Sequence, residues 1–600
     1  SGMRPCDAIF SRFTSPVFLF CYYLGMACRT TRPLTPADDA LLRTSIPCRF
    51  ACPAQTNVPA YLEAIARDDF DEAYRINLRD NVFPATLGYA CTRPCETACR
   101  HGQPGNGESV AICFSKRSAA DFRSSPDPVV LEPLFPSTGK KVAIIGSGVA
   151  GLAAARELAR LGHAVTVFER HHRPGGLLML GIPHFRLPRD VVEKEIEQIR
   201  LQGVDIRCGV QIGQDIKLAD LIEENDHVII ATGAQQPNII QVPGSDLEGV
   251  EHGLRFLFRV NEQGSAVIGR RVVVLGGGFT SMDCARAAKR LDADSVAIYY
   301  RRTEADMYVS NNELEELQRE SIALHTLCSP VEIVGENGRV AGIRFRRTQA
   351  GPRDASGRQS FKEIPGSDFD VACDTILLGT GQSHETAWAG KVLSSLLKHG
   401  GPGSGLNETS LPCVTQAGDF ATGPRSIIDG IAHGKKCAYH VDALLMGRVR
   451  IGENLVSEPV ETTGRDRALN AVPRHAMPCA EVPARTIGTP DELGYARESA
   501  RAEAARCYLC HYVYEIDASA CIYCHKCLEV KPLDTCIVKI SGLLTDAEGR
   551  VTGYHEVEGG PEYNQLYIDP GACIRCHACV EVCPVDCIHL RRIDVVQATI

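Results

Sequence analysis

The sequence lacks an excess of positive charge: its 600 residues carry 64 Lys and Arg against 73 Asp and Glu, for a net charge of -9 at pH 7. With the two signs interspersed, it offers no electrostatic footprint for nucleic acid and no basic face for a membrane surface. Long apolar runs are missing too. The uncharged stretch from Thr14 to Cys28 falls short of the roughly 20 residues of a membrane span and is broken by Pro16 and Gly25. Arginines precede it, as in a signal peptide. The preferred expectation is an extended start with Met26 as the initiator, and a cytoplasmic protein. A composition 44% hydrophobic and 23% charged excludes disordered and fibrous classes. The length suggests about four domains.

What is abundant is cysteine. The 27 cysteines bunch into CxxC and CxxxC groups at the two ends of the chain. In a long chain that pattern points to metal or cluster ligation in a reducing compartment rather than to a secreted disulfide framework.

The middle of the chain reads as two dinucleotide-binding units. In "KKVAIIGSGVAGLAAARELARLGHAVTVFER" an apolar strand, a glycine turn, an Ala-rich helix and a second strand follow one another. Gly146, Gly148 and Gly151 give GxGxxG, which lets the backbone approach a pyrophosphate lying at the helix N-terminus, and Glu169 ends the second strand where an acid holds a ribose 2'-hydroxyl. In "RRVVVLGGGFTSMDCARAAKRLDADSVAIYYRR" the turn is Gly276 and Gly278, with Ser281 as a small residue in the third position. That unit's second strand ends in Arg301-Arg302, a positive pair suited to the 2'-phosphate of NADP, with NADH the alternative donor. Between Gly176 and Gly381 the cysteines are Cys208, Cys284, Cys328 and Cys373, all isolated. No dithiol there can accept electrons as in a disulfide reductase.

With "GGLLMLGIPHFRLPRDVV", "HVIIATGA" and "VTQAGDFATGPRSIIDGIAHGKKCA", these units resemble the FAD/NADPH half of the glutamate synthase small subunit and its relatives, including the N-terminal part of dihydropyrimidine dehydrogenase. The resemblance implies that the first unit binds FAD, with Gly176, Gly233 and Gly418 beside it and Asp419 on the ribityl chain. It also implies an NADPH domain inserted into the FAD domain. The loop Met307-Tyr308-Val309 departs from the family's Met-Pro-Ala.

The segment before the first unit resembles the helical iron–sulfur domain of the same family. Its cysteines are Cys48, Cys52, Cys91, Cys95 and Cys99, and a 4Fe-4S cube needs four thiolates. Relatives with two clusters carry a further CxxC where this chain has Ala40 and Arg43, so one cluster is expected here. Which four of the five bind it is open, with Cys113 or a non-cysteine ligand as alternatives.

At the other end, Cys573, Cys576, Cys579 and Cys583-Pro584 fit the two-cluster ferredoxin run, in which the fourth cysteine crosses to the other cluster. One cluster is then completed as Cys521, Cys524, Cys527 and Cys583. The other has Cys573, Cys576 and Cys579, but its crossing position is Lys531, whose ammonium has no lone pair to give. Cys536, five residues on, is the expected substitute; Cys507, Cys510 and Cys587 are further spare thiols, and a three-cysteine cluster is the alternative. The strings CYLCH, CIYCH and CIRCH also match c-type haem attachment. Two of them run on to another cysteine at cluster spacing, which favours iron–sulfur ligation.

The fold expected is multidomain α/β: an N-terminal extension (1–36), a helical Fe-S domain (37–138), an FAD domain in two parts (139–255 and 380–447) around an NADPH domain (256–379), a surface linker (448–505) and an α+β ferredoxin-like domain (506–600). The function expected is that of an NADPH-dependent iron–sulfur flavoprotein exchanging electrons with a redox partner protein in a hetero-oligomeric complex. By analogy, that partner is a ferredoxin or a 2-oxoacid:ferredoxin-type oxidoreductase. Alternatives are a glutamate synthase small subunit, a noncatalytic relay subunit and an exported multihaem reductase.

Overall fold

The structure, a computed structural model, describes residues 29–353, 359–390, 407–560 and 563–600. The Thr14–Cys28 stretch and Met26 lie outside the described residues. Among the described residues no helix is long and apolar enough to cross a membrane.

Short helices build the N-terminal region, and proline starts most of them. Pro36, Pro47, Pro59, Pro84 and Pro94 each occupy the first or second helical position, where the missing N–H costs nothing and the fixed φ favours the turn. Cys48 and Cys95 sit inside the short helices Pro47–Ala51 and Pro94–Thr97, and Cys52, Cys91 and Cys99 lie in the connections beside them.

The first nucleotide unit is a mostly parallel sheet. Lys141–Ile145 lies between Ala164–Glu169 and His227–Ile230, with Asp205–Cys208 at one edge, Val414–Gln416 next to His227–Ile230 and the antiparallel Asn407–Glu408 beyond. The chain leaves this sheet through Gln236–Pro237 and returns through Gln382–Ser383, which pair antiparallel. Between them lies a second parallel sheet, whose strands include Arg271–Leu275, Ser295–Tyr299 and Thr375–Leu378, with a three-stranded antiparallel flap. The insertion is thus observed, but it begins earlier than residue 256. Val250–His252 pairs with Thr375–Leu378 in the second sheet, a three-residue strand too short to show a period in the sequence.

The expected surface linker is more structured than its composition suggests. Ile451–Val460 is a strand that pairs on one side with Thr30–Pro33 and on the other with Ile588–Thr599, which in turn pairs with Tyr512–Ile516. One sheet therefore joins the start, the supposed linker and the end of the chain. Helix Arg497–Ala505 packs on helices Val58–Ala66 and Ile112–Asp121. The N-terminal helices and the ferredoxin-like region share one hydrophobic core, containing Leu42, Tyr61, Phe70, Tyr512, Ile588 and Ile593.

Residues 485–491 strap the second nucleotide unit down through buried charges. Arg286 donates to Glu320 at 2.8 Å and Asp491 at 2.6 Å, and Arg485 to Glu320 at 2.6 Å and Glu316 at 2.5 Å. The Asp491 amide donates to the Phe185 carbonyl, and Arg290 lies 4.0 Å from the Phe185 ring centroid. Burial works against the Glu320 charge, but Arg290 and Arg286 outweigh it and hold the carboxyl at about 2. Its stabilising contribution is therefore full above the ordinary value near 4.5 and fades as pH falls towards 2. Replacing Arg286 by Met is expected to lose roughly 3–5 kcal/mol by stranding these carboxylates. Denaturant unfolding followed by proteolysis at the strap should show that deficit at neutral pH and a smaller one on acidification below pH 4.5.

Candidate functional site

A cavity of ≈ 610 Å³ opens at the carboxyl ends of the first sheet's strands, where ligands of such folds bind. Gly146, Gly148, Glu169, Gly176, Gly233, Gly418 and Asp419 all line it. Gly146 has φ +103°, and a Cβ there would lie 2.5 Å from the Ala231 carbonyl oxygen. Gly151 does not face the cavity: a Cβ on it would sit 2.1 Å from the Gly146 oxygen, so its part is to let the helix close on the turn. Glu169 is buried. Its Oε2 accepts from the Ser147 amide at 3.0 Å and hydroxyl at 2.6 Å, and its Oε1 from the His171 amide at 2.9 Å, which fixes the carboxylate yet leaves lone pairs for a hydroxyl donor. Asp419 Oδ1 accepts from the Arg425 amide at 3.1 Å. Burial, with Asp429 nearby, pushes its carboxyl up to about 7.

Trp388 and Arg255 also line this cavity. No sequence motif marked them: Arg255 lies on helix Gly253–Gln263 of the second unit and Trp388 just past the return strand Gln382–Ser383.

In the second unit, Gly276 (φ +136°) leaves no room for a side chain: a Cβ would be 2.2 Å from the Gly379 oxygen. A Cβ on Gly379 would in turn lie 2.0 Å from Ser281 Oγ. Ser281 therefore serves the close packing expected of a third glycine. Gly278 caps helix Phe279–Arg290 and bridges to the backbone of Tyr308, whose side chain is exposed. The arginine pair divides. Arg302 is buried and its Nε donates to the Gln359 carbonyl at 2.6 Å, whereas Arg301 is exposed with its guanidinium 5.0 Å from the Phe361 ring centroid. The flap strand thus holds Arg302 through its Nε, and Arg301 is the member of the pair left at the surface.

Among the described residues, the cysteines of the two end regions gather into four groups. Cys521, Cys524, Cys527 and Cys583 line one small cavity, which Cys587 joins. Cys573, Cys576, Cys579 and Cys536 line a second of like volume. Lys531 sits on the rim of the latter with its Nζ donating to the carbonyls of Asp534 at 2.5 Å and Ile537 at 3.2 Å. Cys48 and Cys99 face a third such cavity. The five N-terminal cysteines are therefore not one set. Cys52, Cys91 and Cys95 surround the buried Lys116 instead, with Cys113 beside them.

The histidines of the three CxxCH strings are held by the protein. His511 meets Glu63 at 3.2 Å, His525 meets the Tyr563 hydroxyl at 3.2 Å, and His577 meets the Tyr514 hydroxyl at 3.1 Å. Among the described residues no three His, Cys, Asp or Glu converge tightly enough for a single metal ion. A cube differs, since its four thiolates bind four separate irons and must stand apart around a cage. All-thiol cages with apolar walls suit that group.

Comparison with known proteins agrees with this geometry. Residues 140–434 match the pyridine nucleotide-disulphide oxidoreductase family, residues 35–127 the 4Fe-4S domain II of dihydropyrimidine dehydrogenase, and residues 566–589 a 4Fe-4S binding domain. The beta subunit of NADP(+)-dependent formate dehydrogenase from Moorella thermoacetica is 32% identical over 508 residues, 78% of this chain and 71% of that protein. The beta subunit of NADPH-Fe(3+) oxidoreductase from Geobacter sulfurreducens is 32% identical over 514 residues, 78% and 75% of the two chains. The small chain of glutamate synthase [NADPH] from Escherichia coli is 32% identical over 424 residues, 67% and 89%. Two nucleotide turns, a cavity at the first, and thiol cages at both ends thus place the chain in the family of NADP(H)-dependent FAD and 4Fe-4S oxidoreductases to which these electron-transfer subunits belong.

Proposed function

We propose that this chain is the NADP(H)-linked subunit of a larger redox complex, exchanging electrons with a protein partner through its C-terminal cages. The observation that carries this reading is the order of the thiol groups. Cys52 shares a core with helix Val149–Arg160 and Leu178–Leu180 of the flavin unit. Tyr61, wholly buried, lies among Cys95, Cys113, Cys48 and Cys52. Arg100 then reaches from the N-terminal helices to the Cys573 carbonyl at 3.1 Å, and Cys579 neighbours Cys527. At the far end Cys524 is exposed, with Ile522, Tyr523 and Val585 exposed around it. An apolar rim at the last cage suits docking of a partner protein.

FAD, when bound, exchanges a hydride with nicotinamide and passes electrons on singly. The chain's own residues orient and insulate. In that site Glu169 would hold a ribose hydroxyl, the amides beyond Gly146 and Gly148 the pyrophosphate, and Asp419 the ribityl chain. Gly276, Gly278 and Arg301 would hold NADPH, with Arg301 selecting the 2'-phosphate. The ferredoxin-like clusters would be held by Cys521, Cys524 and Cys527 with Cys583 or Cys587, and by Cys573, Cys576 and Cys579 with Cys536. The partner is a ferredoxin or a 2-oxoacid:ferredoxin-type enzyme, and the compartment is the cytoplasm. As a second reading, the similarity to the glutamate synthase small chain favours a glutamate-forming large subunit as partner.

An anaerobic NADPH titration of the purified chain, followed by absorbance and low-temperature EPR, tests this reading. Flavin bleaching with growth of cluster signals is expected; a flavin that NADPH cannot bleach would overturn it. Arg301→Ala should raise KM for NADPH roughly tenfold, the effect of losing about 1.4 kcal/mol of binding, while KM for NADH stays nearly unchanged. Cys536→Ser should remove or alter one cluster signal and leave the flavin content intact.

A further inference from the structure

We propose that Cys48, Cys99, Cys507 and Cys510 together hold a 4Fe-4S cluster, with two ligands from each end of the chain. These four thiols line one cavity, walled by Val58, Leu62 and Tyr508 and alike in volume to the two ferredoxin-like cages. The N-terminal helices offer no other pair for Cys48 and Cys99, because Cys52, Cys91 and Cys95 face Lys116 and positions 40 and 43 are Ala and Arg.

The backbone supplies an independent observation. In both ferredoxin-like CxxC loops the third residue is left-handed, Tyr523 at φ +54° and Arg575 at +57°. Leu509, the third residue of Cys507–Cys510, is left-handed too, at +54°. Non-glycine residues seldom adopt this conformation, and here it turns the Leu509 amide onto Cys507 Sγ at 3.4 Å. Such N–H···S bonds stabilise a thiolate-bound cluster and help set its potential. The loops diverge one position later, at the residue after the second cysteine: His525 and His577 are left-handed, at +63° and +68°, and lead to a third cysteine. His511 instead enters strand Tyr512–Ile516. The Cys507–Cys510 loop is thus built for two ligands, the number that Cys48 and Cys99 lack.

The loop is also anchored for that task. His511 and Tyr512 bond Glu63 at 3.2 and 2.8 Å. The ring of Tyr508 stacks on His101 with centroids 4.5 Å apart. Arg465 donates to the Cys507 carbonyl at 2.7 Å and Arg575 to that of Cys510 at 3.4 Å, which places cations around an anionic group. A four-thiolate zinc site would require the sulfurs to meet at one point, and they do not converge so.

The test uses the full chain purified without oxygen, with iron, sulfide and zinc assayed per chain and EPR recorded after dithionite reduction. Cys507→Ser/Cys510→Ser is expected to lose about four irons and four sulfides and one cluster signal, with flavin content unchanged as the check on folding. Cys48→Ser, altered at the opposite end of the chain, should perturb the same signal. Unchanged iron in the double variant, a signal that responds to Cys48→Ser but not to Cys507→Ser, or one zinc per wild-type chain would each overturn the proposal. None of these readouts depends on NADPH or on the partner, so the proposal can fail while the functional reading stands.

Discussion

A cubane cluster needs four thiolates held at separate corners, and meeting that requirement with few ligands per segment shapes this protein. Among the described residues no single stretch of the chain brings four cysteines to one of these cavities. The cavity at Cys573 takes Cys536 from an earlier turn, and the cavity at Cys48 takes thiols from the far side of the nucleotide units. The two ends must therefore fold as one body. Their common core, the sheet joining Thr30–Pro33, Ile451–Val460, Ile588–Thr599 and Tyr512–Ile516, and the helix Arg497–Ala505 docked on the N-terminal helices achieve this. The nucleotide units occupy the middle of the sequence as a long excursion from that body, strapped back to it by residues 485–491.

Burying thiolates costs solvation, and the structure offsets the cost with buried cations. Arg100 and Arg575 are almost wholly buried between the Cys48 and Cys573 cavities, and their guanidiniums converge on the carbonyls of Pro570 and Cys573. Lys116 is buried among four thiols. Two neighbouring guanidiniums would repel each other in an apolar interior, and burial combined with this repulsion pulls the Arg100 pKa down. Anionic groups on both sides make such an arrangement tenable, and peripheral charge is one of the levers that sets cluster potentials.

The parts of this architecture that were legible in the sequence are those written in local patterns. Two glycine turns, the strand-ending Glu169 and the cysteine spacings each lie within one supersecondary unit, where fixed offsets carry the physics. What escaped depended on long-range approach. Cys507 and Cys510 read as spare thiols because nothing in their spacing indicates Cys48 and Cys99. The bond from Arg302 to the Gln359 carbonyl could not be read because that carbonyl belongs to a distant strand. Ile451–Val460 looked like linker because its pairing partners, Thr30–Pro33 and Ile588–Thr599, are both far away in sequence. Val250–His252 was simply too short to display a period.

Lys531 shows how a repeat can change a ligand position without losing its shape. "CLEVKPLDTC" ends at Cys536 and "CVEVCPVDC" ends at Cys587, so each copy carries a cysteine just beyond its Pro and Asp. The two copies share a backbone pattern as well: the Asp569 amide donates to the Cys536 carbonyl at 3.1 Å and the Asp517 amide to the Cys587 carbonyl at 2.8 Å, each Asp in turn accepting from the first cysteine of its run. Cys536 and Cys587 are thus equivalent, and each lines the cavity formed by the other copy's cysteines. With a thiol at that later position facing each cavity, the earlier one need not supply a ligand. In the second copy it is still Cys583, beside Cys587 at 3.5 Å; in the first it has become Lys531, whose ammonium ties the Asp534 and Ile537 carbonyls of its own turn. The lysine then braces the turn that presents Cys536, and its presence is compatible with a complete four-thiol cage.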